Sequence, residues 1–338
     1  MKKSVFIGMT ALLMGLSACE HKELCYHHPH TAKVRVNVDW SQFAEEQPTG
    51  MTVMAFPAGG GKPVTVLSNT LDHVYMSLQE GLHHTLSFNQ STTEFGSFSF
   101  RDMDSWEKAE VVSNTVTSRW YQGRSEGERV ATEPEWLATD TEMDARVTAE
   151  MIEATGKHNG VSPKAATDYV IASHTPKNIV YTLHVKVNIP GGIYNLRSAR
   201  AALDGLAEGV KFSTLRRSDE VMTHLLEEWK MTVDKDAPTR GYITASRLCF
   251  GLPSSHQGVA AENHFLLSML LVDGKTQIDV PFEVGHLIKE AKNGTLTLYL
   301  ELDLADALPD VKPEGGASSG FDAVVEDWGE EIEHEIQM

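Results

Sequence analysis

The chain has 338 residues, of which 41% are hydrophobic, so it is long enough to form two domains with cores of their own. Its 29 Lys and Arg residues stand against 47 Asp and Glu residues, which gives a formal net charge of −18. This charge repels nucleic-acid phosphates and anionic lipid headgroups. It therefore argues against nucleic-acid binding and against membrane attachment through basic surface residues.

The first residues predict a leader peptide. Two lysines precede a short apolar stretch at residues 5–16. A bilayer-spanning helix needs ~20 apolar residues, so the stretch is too short to span and fits the core of a signal peptide. It ends in the sequence LSAC, which resembles the bacterial lipobox: a branched apolar residue, two small residues and a cysteine. We predict a signal peptide at residues 1–18 and lipidation of Cys19, in preference to an ordinary secretory signal with an incidental cysteine.

The predicted lipid determines the expected location. Each buried methylene contributes ~0.8 kcal/mol, and a single acyl chain binds a membrane only marginally. Several acyl chains on Cys19, palmitate among them, would anchor the chain firmly without spanning the bilayer. We expect a protein held in the outer membrane by its N-terminal lipid and exposed at the cell surface.

A tract rich in histidine follows the predicted lipid. The tract, within residues 19–33, contains one further cysteine, and His and Cys are good zinc ligands. The spacing matches no established zinc motif, so we interpret residues 19–33 as a polar, lipidated tether and expect neither a metal nor another cofactor. Cys25 and Cys249 could pair in an oxidising compartment, although two free thiols are the favoured interpretation. The histidines are His21, His27, His28 and His30.

The first half of the chain predicts short strands separated by turns. Residues 32–40 alternate, with Val34, Val36 and Val38 on one side and polar residues on the other, as in a strand with one buried face. A short helix is predicted at residues 141–155. Many short strands with turn signals between them favour a β-sandwich or barrel. Further strands are predicted at 51–56, 64–67, 84–88, 97–100 and 169–173.

The second half shows the same pattern more clearly. Residues 179–189 alternate, with Tyr181, Leu183, Val185 and Val187 on one face. The alanine-rich residues 198–212 have helical propensity, but Gly205 and Gly209 weaken that interpretation. A short helix or turn is predicted at 284–291, and a linker rich in Pro and Gly at 308–320. We place the division between two β domains near Thr175. Further strands are predicted at 242–252, 264–272, 277–282 and 295–302.

Several segments together resemble a known family. They are LCYHHPHTAKVRVNVDW, the strand at 179–189, SARAALDGLAEGVKF and the terminal FDAVVEDWGEEIEHEIQM. The chain is similar to the FimB-like minor fimbrillins of Bacteroides and relatives, which are fimbrial anchor lipoproteins. The resemblance implies two transthyretin-like β-sandwich domains in tandem with minor helices, at 34–175 and 176–338. It also implies strand and turn, not helix, at 198–212.

The resemblance further implies assembly by β-strand pairing with other fimbrillin subunits. The terminal strand, 321–338, suits a strand donated to a neighbour, and an ordinary last strand of the second sandwich is an equal alternative. The function implied is that of a structural cell-surface lipoprotein, a minor pilus subunit acting as anchor or accessory. The sequence does not say which pilins bind. The candidate partner-binding residues are Phe321, Val324, Trp328, Ile332 and Ile336.

Two common catalytic motifs are absent from the sequence, the phosphate loop and His-Glu-x-x-His. We predict that the protein is not an enzyme. The alternative function is a surface glycan-binding lipoprotein of a nutrient-uptake system. Trp106, Trp120, Tyr121 and Trp136 could stack on sugars if they form a flat, exposed row, whereas burial would make them part of a core.

Overall fold

The computed structural model describes residues 30–43, 45, 47–155 and 168–313. These residues form strands and one short α-helix, α1 (Ala149–Thr155), with 3-10 turns at Ser41–Phe43, Ile193–Asn195 and Ala260–Glu262, which confirms the predicted all-β fold. The strands in chain order are β1 (Ala32–Val38), β2 (Met51–Pro57), β3 (Val64–Ser68), β4 (His73–Leu78), β5 (Gly81–Asn89), β6 (Phe98–Arg101), β7 (Glu110–Ser113), β8 (Ala138–Val147), β9 (Val170–His174), β10 (Lys177–Asn178), β11 (Tyr181–Ile189), β12 (Leu196–Ala207), β13 (Gly209–Lys211), β14 (Arg216–Arg217), β15 (Val221–Leu226), β16 (Lys230–Val233), β17 (Gly241–Cys249), β18 (His264–Leu271), β19 (Gln277–Glu283), β20 (Lys289–Glu290) and β21 (Thr297–Asp303).

The chain divides into two compact units. Unit 1 contains the residues up to Ser87 together with Asp140–Thr175, and unit 2 contains Phe88–Thr139 together with the residues from Pro176 onward. The domain bounds predicted from the sequence, 34–175 and 176–338, place residues 88–139 in the first domain instead. Those bounds stay a prediction for the complete chain, since part of each range lies outside the described residues.

Residues 88–139 belong to unit 2 because of specific pairings. β7 pairs with β13 in an antiparallel register that joins Val111 to Val210. The rings of Phe88 and Phe100 stack with their centroids 4.9 Å apart, and both also stack on Phe212. Stacked aromatic pairs of this kind add to the free energy gained by burial.

Unit 1 is built around β1, which pairs with β4 in an antiparallel and with β9 in a parallel register. A second sheet has the order β8-β5-β2-β3. Val34, Val36 and Val38 are buried, as their alternation predicted. His174 of β9 is buried as well, and its two ring nitrogens lie 2.8 Å from the Thr85 hydroxyl and 2.6 Å from the Ser87 hydroxyl. Burial lowers the pKa of His174.

Unit 2 contains a sandwich of two sheets. One has the order β16-β17-β11-β21-β20, and the other has the order β15-β12-β18-β19. β11 pairs with β17 in an antiparallel and with β21 in a parallel register. A third sheet in this unit, of order β14-β13-β7-β6, is smaller. The predicted inward residues of β11 are all buried in the core, which lies between the two larger sheets: Tyr181, Leu183, Val185 and Val187.

Two helix interpretations are resolved by the structure. The helix predicted at 141–155 is confirmed in its second half, Ala149–Thr155, and wrong in its first half, because residues up to Val147 continue strand β8. Sheet pairing outweighs the helical propensity of this segment, and Ala145 and Val147 are buried. The strand interpretation of 198–212 is confirmed by β12 and β13.

A buried histidine has no hydrogen-bond partner in the described structure. His224 of β15 has no exposed surface, and neither of its ring nitrogens is paired. Burial, with a further contribution from the charge of Arg247, lowers the pKa of His224 to about 3. The imidazole is therefore neutral at neutral pH, because a charge at this position would be desolvated.

We expect His224 to make unit 2 sensitive to acid. Its folded pKa lies below the unfolded value of ~6.5, so its contribution to stability is present above pH ~6.5 and is lost as the pH falls toward 3, at up to ~1.4 kcal/mol per pH unit. His224→Leu should flatten the decline in the free energy of unfolding below pH ~6.5, measured by urea denaturation at several pH values. His184→Leu, at an exposed position of β11, should keep the decline of the wild type. An unchanged slope in His224→Leu would contradict this account.

Candidate functional site

The site residues predicted from the sequence lie outside the described residues. This holds for Cys19 and for the whole terminal strand 321–338. Lipidation and strand donation by these residues therefore stay predictions. The predicted terminal residues are Phe321, Val324, Trp328, Ile332 and Ile336.

The four aromatic residues proposed for sugar stacking do not form an exposed row. Trp106 and Tyr121 are buried, and Trp120 and Trp136 are half-buried. The Trp120 indole donates a hydrogen bond of 2.8 Å to Glu227, and the guanidinium of Arg200 lies 4.6 Å from its ring centroid. Burial of these rings favours a role in packing.

The sequence Asp204–Gly209, DGLAEG, forms a bulged junction between β12 and β13. The register of β12 against β15 shifts between Leu203 and Leu206. Gly205 has a φ of +75°, and a Cβ at this position would lie 2.3 Å from the Glu262 carbonyl oxygen. A side chain is therefore excluded there, both by the backbone conformation and by the close approach of a neighbouring strand connection.

Glu208, in the same junction, carries a buried carboxylate held by two arginines. Its side chain is 4% exposed. Arg129 donates hydrogen bonds of 2.6 and 3.2 Å to its two oxygens, and Arg101 donates one of 2.8 Å. Burial alone would raise the pKa of Glu208, but the hydrogen bonds and charges of the arginines outweigh burial and hold this pKa below its usual value. The carboxylate is therefore ionised and ties β12 and β13 to β6 and to the segment before Val130.

Asp204 organises the other end of the junction. Its carboxylate accepts a hydrogen bond of 2.9 Å from Arg124 and lies 3.1 Å from Nδ1 of His264. Nearby, Glu128 accepts hydrogen bonds from the hydroxyls of Tyr121, at 2.6 Å, and Thr223. Burial would raise the pKa of Glu128, but the hydrogen bonds from Thr223 and Tyr121 keep this pKa below its usual value.

A polar cleft of about 510 Å³ is lined by Arg124, Glu128, Arg129, Asp204, Thr223 and His264 among others. Arg124 and Arg129 are each held by a carboxylate, so the cleft presents fixed ion pairs. In the part of the chain that the structure describes, no three His, Cys, Asp or Glu side chains are grouped so that they could hold a metal ion. Cys249 is buried, and burial raises the pKa of its thiol to about 12, so this thiol is not a nucleophile at neutral pH.

Two sheet edges carry exposed apolar residues. β16 is the outermost strand of its sheet, and all four of its residues are exposed, with Met231 at 50% and Val233 at 43%. The other sheet of the sandwich ends at β15, and β15 packs against β17. The neighbouring strand β16 therefore has no strand of that sheet opposite it. In unit 1, the edge strand β3 contains no charged residue, and Leu67 is 62% exposed. Edge strands of this kind offer unpaired backbone groups to another strand.

The edge strand β19 is protected by contrast. It contains Asp279, Pro281 and Glu283, and proline lacks the N–H that a pairing strand would need.

Sequence reasoning did not identify β16, β15 or the role of Glu208. The available signals were the short alternating run KMTV and the single glutamate inside the apolar run GLAEG.

We expect the Glu208 ion pairs to stabilise unit 2. Glu208→Gln keeps the size of the side chain and removes its charge, and it should lower the free energy of unfolding by ~2 kcal/mol, because the buried acceptor pairs with two partly exposed guanidinium groups. Glu220→Gln, at an exposed position of the same unit, should change it by less than ~0.5 kcal/mol. Urea denaturation of both variants measures the difference, and equal stabilities would contradict the assigned role.

Comparison with known proteins shows related structures. A candidate adhesin from Bacteroides ovatus ATCC 8483 is 15% identical, with a TM-score of 0.55 over 88% of this chain and 99% of that chain. The fimbrial anchor protein Mfa2 from Porphyromonas gingivalis is 12% identical, with a TM-score of 0.46 over 81% and 90%. The tip fimbrial protein Mfa3 from the same organism, with a C-terminal truncation, is 11% identical, with a TM-score of 0.32 over 79% and 85%.

The likeness to the Bacteroides ovatus protein shows a shared fold. A comparison with curated protein sequences gave no significant match. Residues 18–227, more than half of the chain, match the sequence model of DUF5119, a domain of unknown function, and the chain therefore belongs to the DUF5119 family.

Proposed function

We propose that this protein is a structural cell-surface lipoprotein, a minor fimbrial subunit that anchors or assists a pilus by β-strand pairing with other fimbrillins. The observation that carries the proposal is the open apolar edge at β16, where Met231 and Val233 are exposed on an edge strand. The fold shared with a candidate adhesin supports it.

The pairing would use the backbone of the edge strand for strength and its side chains for selectivity. Met231 lies opposite Ile243 in the register of β16 and β17, and Val233 lies opposite Gly241. Because Ile243 is buried in the core, Met231 lies on the core side of its sheet and still remains exposed. A strand added beside β16 could cover both side chains with its own apolar residues.

The uncharged strand β3 is a second candidate edge. Leu67 lies opposite Thr52 of β2, and the rest of β3 follows β2 in a regular antiparallel register. The strand contains neither proline nor lysine, which are common devices against unwanted pairing. Unit 1 and unit 2 thus each offer one apolar edge to another subunit.

The proposed strand supplied to a partner is the segment 321–338. The apolar residues of this segment are the proposed partner-binding positions. The alternative is that the segment forms the last strand of this protein's own second sandwich. Covering an apolar edge requires apolar side chains on one face of the added strand. In an extended strand the even-numbered Val324, Trp328, Ile332 and Ile336 would share one face, and Phe321 would lie on the other. The positions are Phe321, Val324, Trp328, Ile332 and Ile336.

The proposed location is the cell surface, with the N-terminal lipid in the outer membrane. Among the described residues, no helix is both long enough and apolar enough to cross a membrane. Attachment in this proposal depends on Cys19. The glycan-binding alternative has less support, because the four aromatic residues on which it was based are buried or half-buried.

We expect Cys19→Ala to abolish lipidation and release the protein from the membrane fraction. The thiol is the attachment point of the lipid, and no other residue of the sequence LSAC could replace it. Mass spectrometry of the purified protein measures the acyl mass, and Cys25→Ala is the matched control that should keep it. Acylation that persists in Cys19→Ala would contradict the lipoprotein assignment.

We expect a lysine on an apolar edge to weaken pairing with fimbrillins. Met231→Lys in β16 and Leu67→Lys in β3 should each leave the protein folded. At whichever of the two edges pairs with a fimbrillin, the lysine should weaken the complex with that fimbrillin about tenfold, because a charged lysine on an edge strand opposes strand addition. Val259→Lys is the control, because Val259 is 55% exposed but lies outside the strands. Co-purification of fimbrillins with the tagged protein from membranes measures the effect.

The two edge variants separate the possible outcomes. Loss with one variant identifies the edge that pairs with the partner. Undiminished recovery of fimbrillins with both variants would contradict strand pairing at these edges.

A further inference from the structure

Two recesses of unit 2 adjoin each other on the outer side of the sheet that contains β12 and β18. One is the polar cleft of about 510 Å³, and the other is an apolar recess of about 400 Å³. Arg124 and His264 line both. The two recesses therefore share a wall and form one continuous groove, which we call the joined groove.

The polar half of the joined groove carries an excess of negative charge. Five carboxylate residues and two arginines line it, which leaves a formal charge of −3 with His264 neutral. Both arginines are already engaged, Arg124 by Asp204 and Arg129 by Glu208, so neither is available to a bound anion. The five carboxylate residues are Glu126, Glu128, Asp204, Glu220 and Glu262.

Two of these carboxylates are available to a ligand. Glu126 and Glu220 are exposed and form no salt bridge with another described residue, although the charge of Glu220 also acts on Arg129. Glu128 and Asp204, by contrast, use their oxygens in hydrogen bonds within unit 2. The free carboxylates therefore favour a cationic group at the open side of the polar half.

The apolar half has a different lining. Ala202 and Leu266 provide its apolar surface together with Tyr121, and Pro281 of the edge strand β19 forms part of its rim, whereas Phe282 packs against the core on the other face of the sheet. Leu266 is half-buried and Pro281 is exposed, so this surface is accessible. Burial of a Leu or Phe side chain against such a surface contributes ~1.5–3 kcal/mol.

We propose that the joined groove binds an extended segment of another protein in which a large apolar residue and a lysine or arginine lie two positions apart, on the same face of the segment. Side chains two residues apart on one face of an extended segment are separated by ~7 Å, which suits two recesses with a common wall. The apolar side chain occupies the recess next to β19, and the cation lies near Glu126 and Glu220. This site is separate from the apolar edges of β3 and β16.

The test uses the full-length protein and three synthetic peptides. All are five residues long with blocked ends: Thr-Leu-Thr-Lys-Thr, the same peptide with Glu in place of Lys, and the same peptide with Ser in place of Leu. We expect the Leu-Lys peptide to bind, and the other two to bind at least about fivefold more weakly. Titration followed by the fluorescence of the tryptophans or by nuclear magnetic resonance measures the affinities.

Variants locate the binding. The double variant Glu126→Gln, Glu220→Gln should weaken the Leu-Lys peptide about fivefold and leave the unfolding midpoint unchanged, because both residues are exposed. The matched control neutralises two glutamates of unit 1, Glu150→Gln and Glu153→Gln, and should keep the affinity. Equal binding of the Leu-Lys and Leu-Glu peptides, or no binding of any peptide at millimolar concentration, would overturn the proposal.

The result is independent of strand pairing. Met231→Lys and Leu67→Lys should not change peptide affinity, so failure of the groove proposal and failure of the proposed fimbrial function give different results. A peptide that binds equally well to the wild type and to the double variant would place the binding elsewhere and reject the joined groove.

Discussion

The buried carboxylate of Glu208 is the constraint on which unit 2 depends. It lies between β12 and β13, and its two arginines come from distant parts of the sequence, Arg101 at the end of β6 and Arg129 before the bridge to β15. Removing a charge from water is costly, and the cost is met only where hydrogen bonds satisfy the group. The meeting of these three residues therefore stabilises the native arrangement, and it joins residues 88–139 to those after Pro176.

The ion pairs also explain the composition of the neighbouring segment. Gly209 follows Glu208 directly, and a Cβ there would lie 1.9 Å from the Val111 carbonyl oxygen. Glycine allows β13 to approach β7, and this approach brings Arg101 within reach of the carboxylate. Buried ion pairs contribute less to net stability than to the selection of one arrangement, because replacing them with apolar residues is often neutral. The sequence DGLAEG thus specifies a geometry more than it adds to a core.

The strands with one buried face could be predicted from the sequence, because period-two alternation reports burial directly. β1 and β11 are examples, and the fold class follows from many such runs. The helix predicted at 141–155 was wrong only up to Val147, because this part of β8 has residues with helical propensity and the pairing that makes it a strand comes from residues distant in sequence. The assignment of residues 88–139 to unit 2 depends on Glu208 and on the phenylalanine stack, neither of which has a local signature. The candidate edges were likewise not predictable, since exposure of Met231 depends on where the facing sheet ends.

The parallel pairing of β11 with β21 has a mechanical consequence. β11 begins soon after the chain returns to unit 2 at Pro176, and β21 is the last long strand among the described residues, so tension applied between these two points would pull on the start of one and the end of the other. In a parallel pair these points lie at opposite ends, and the seven paired positions from Thr182–Thr297 to Asn188–Asp303 are loaded together in shear. An antiparallel pair would place both points at one end and open bond by bond. A fibre held through this unit would thus resist extension until many hydrogen bonds failed at once.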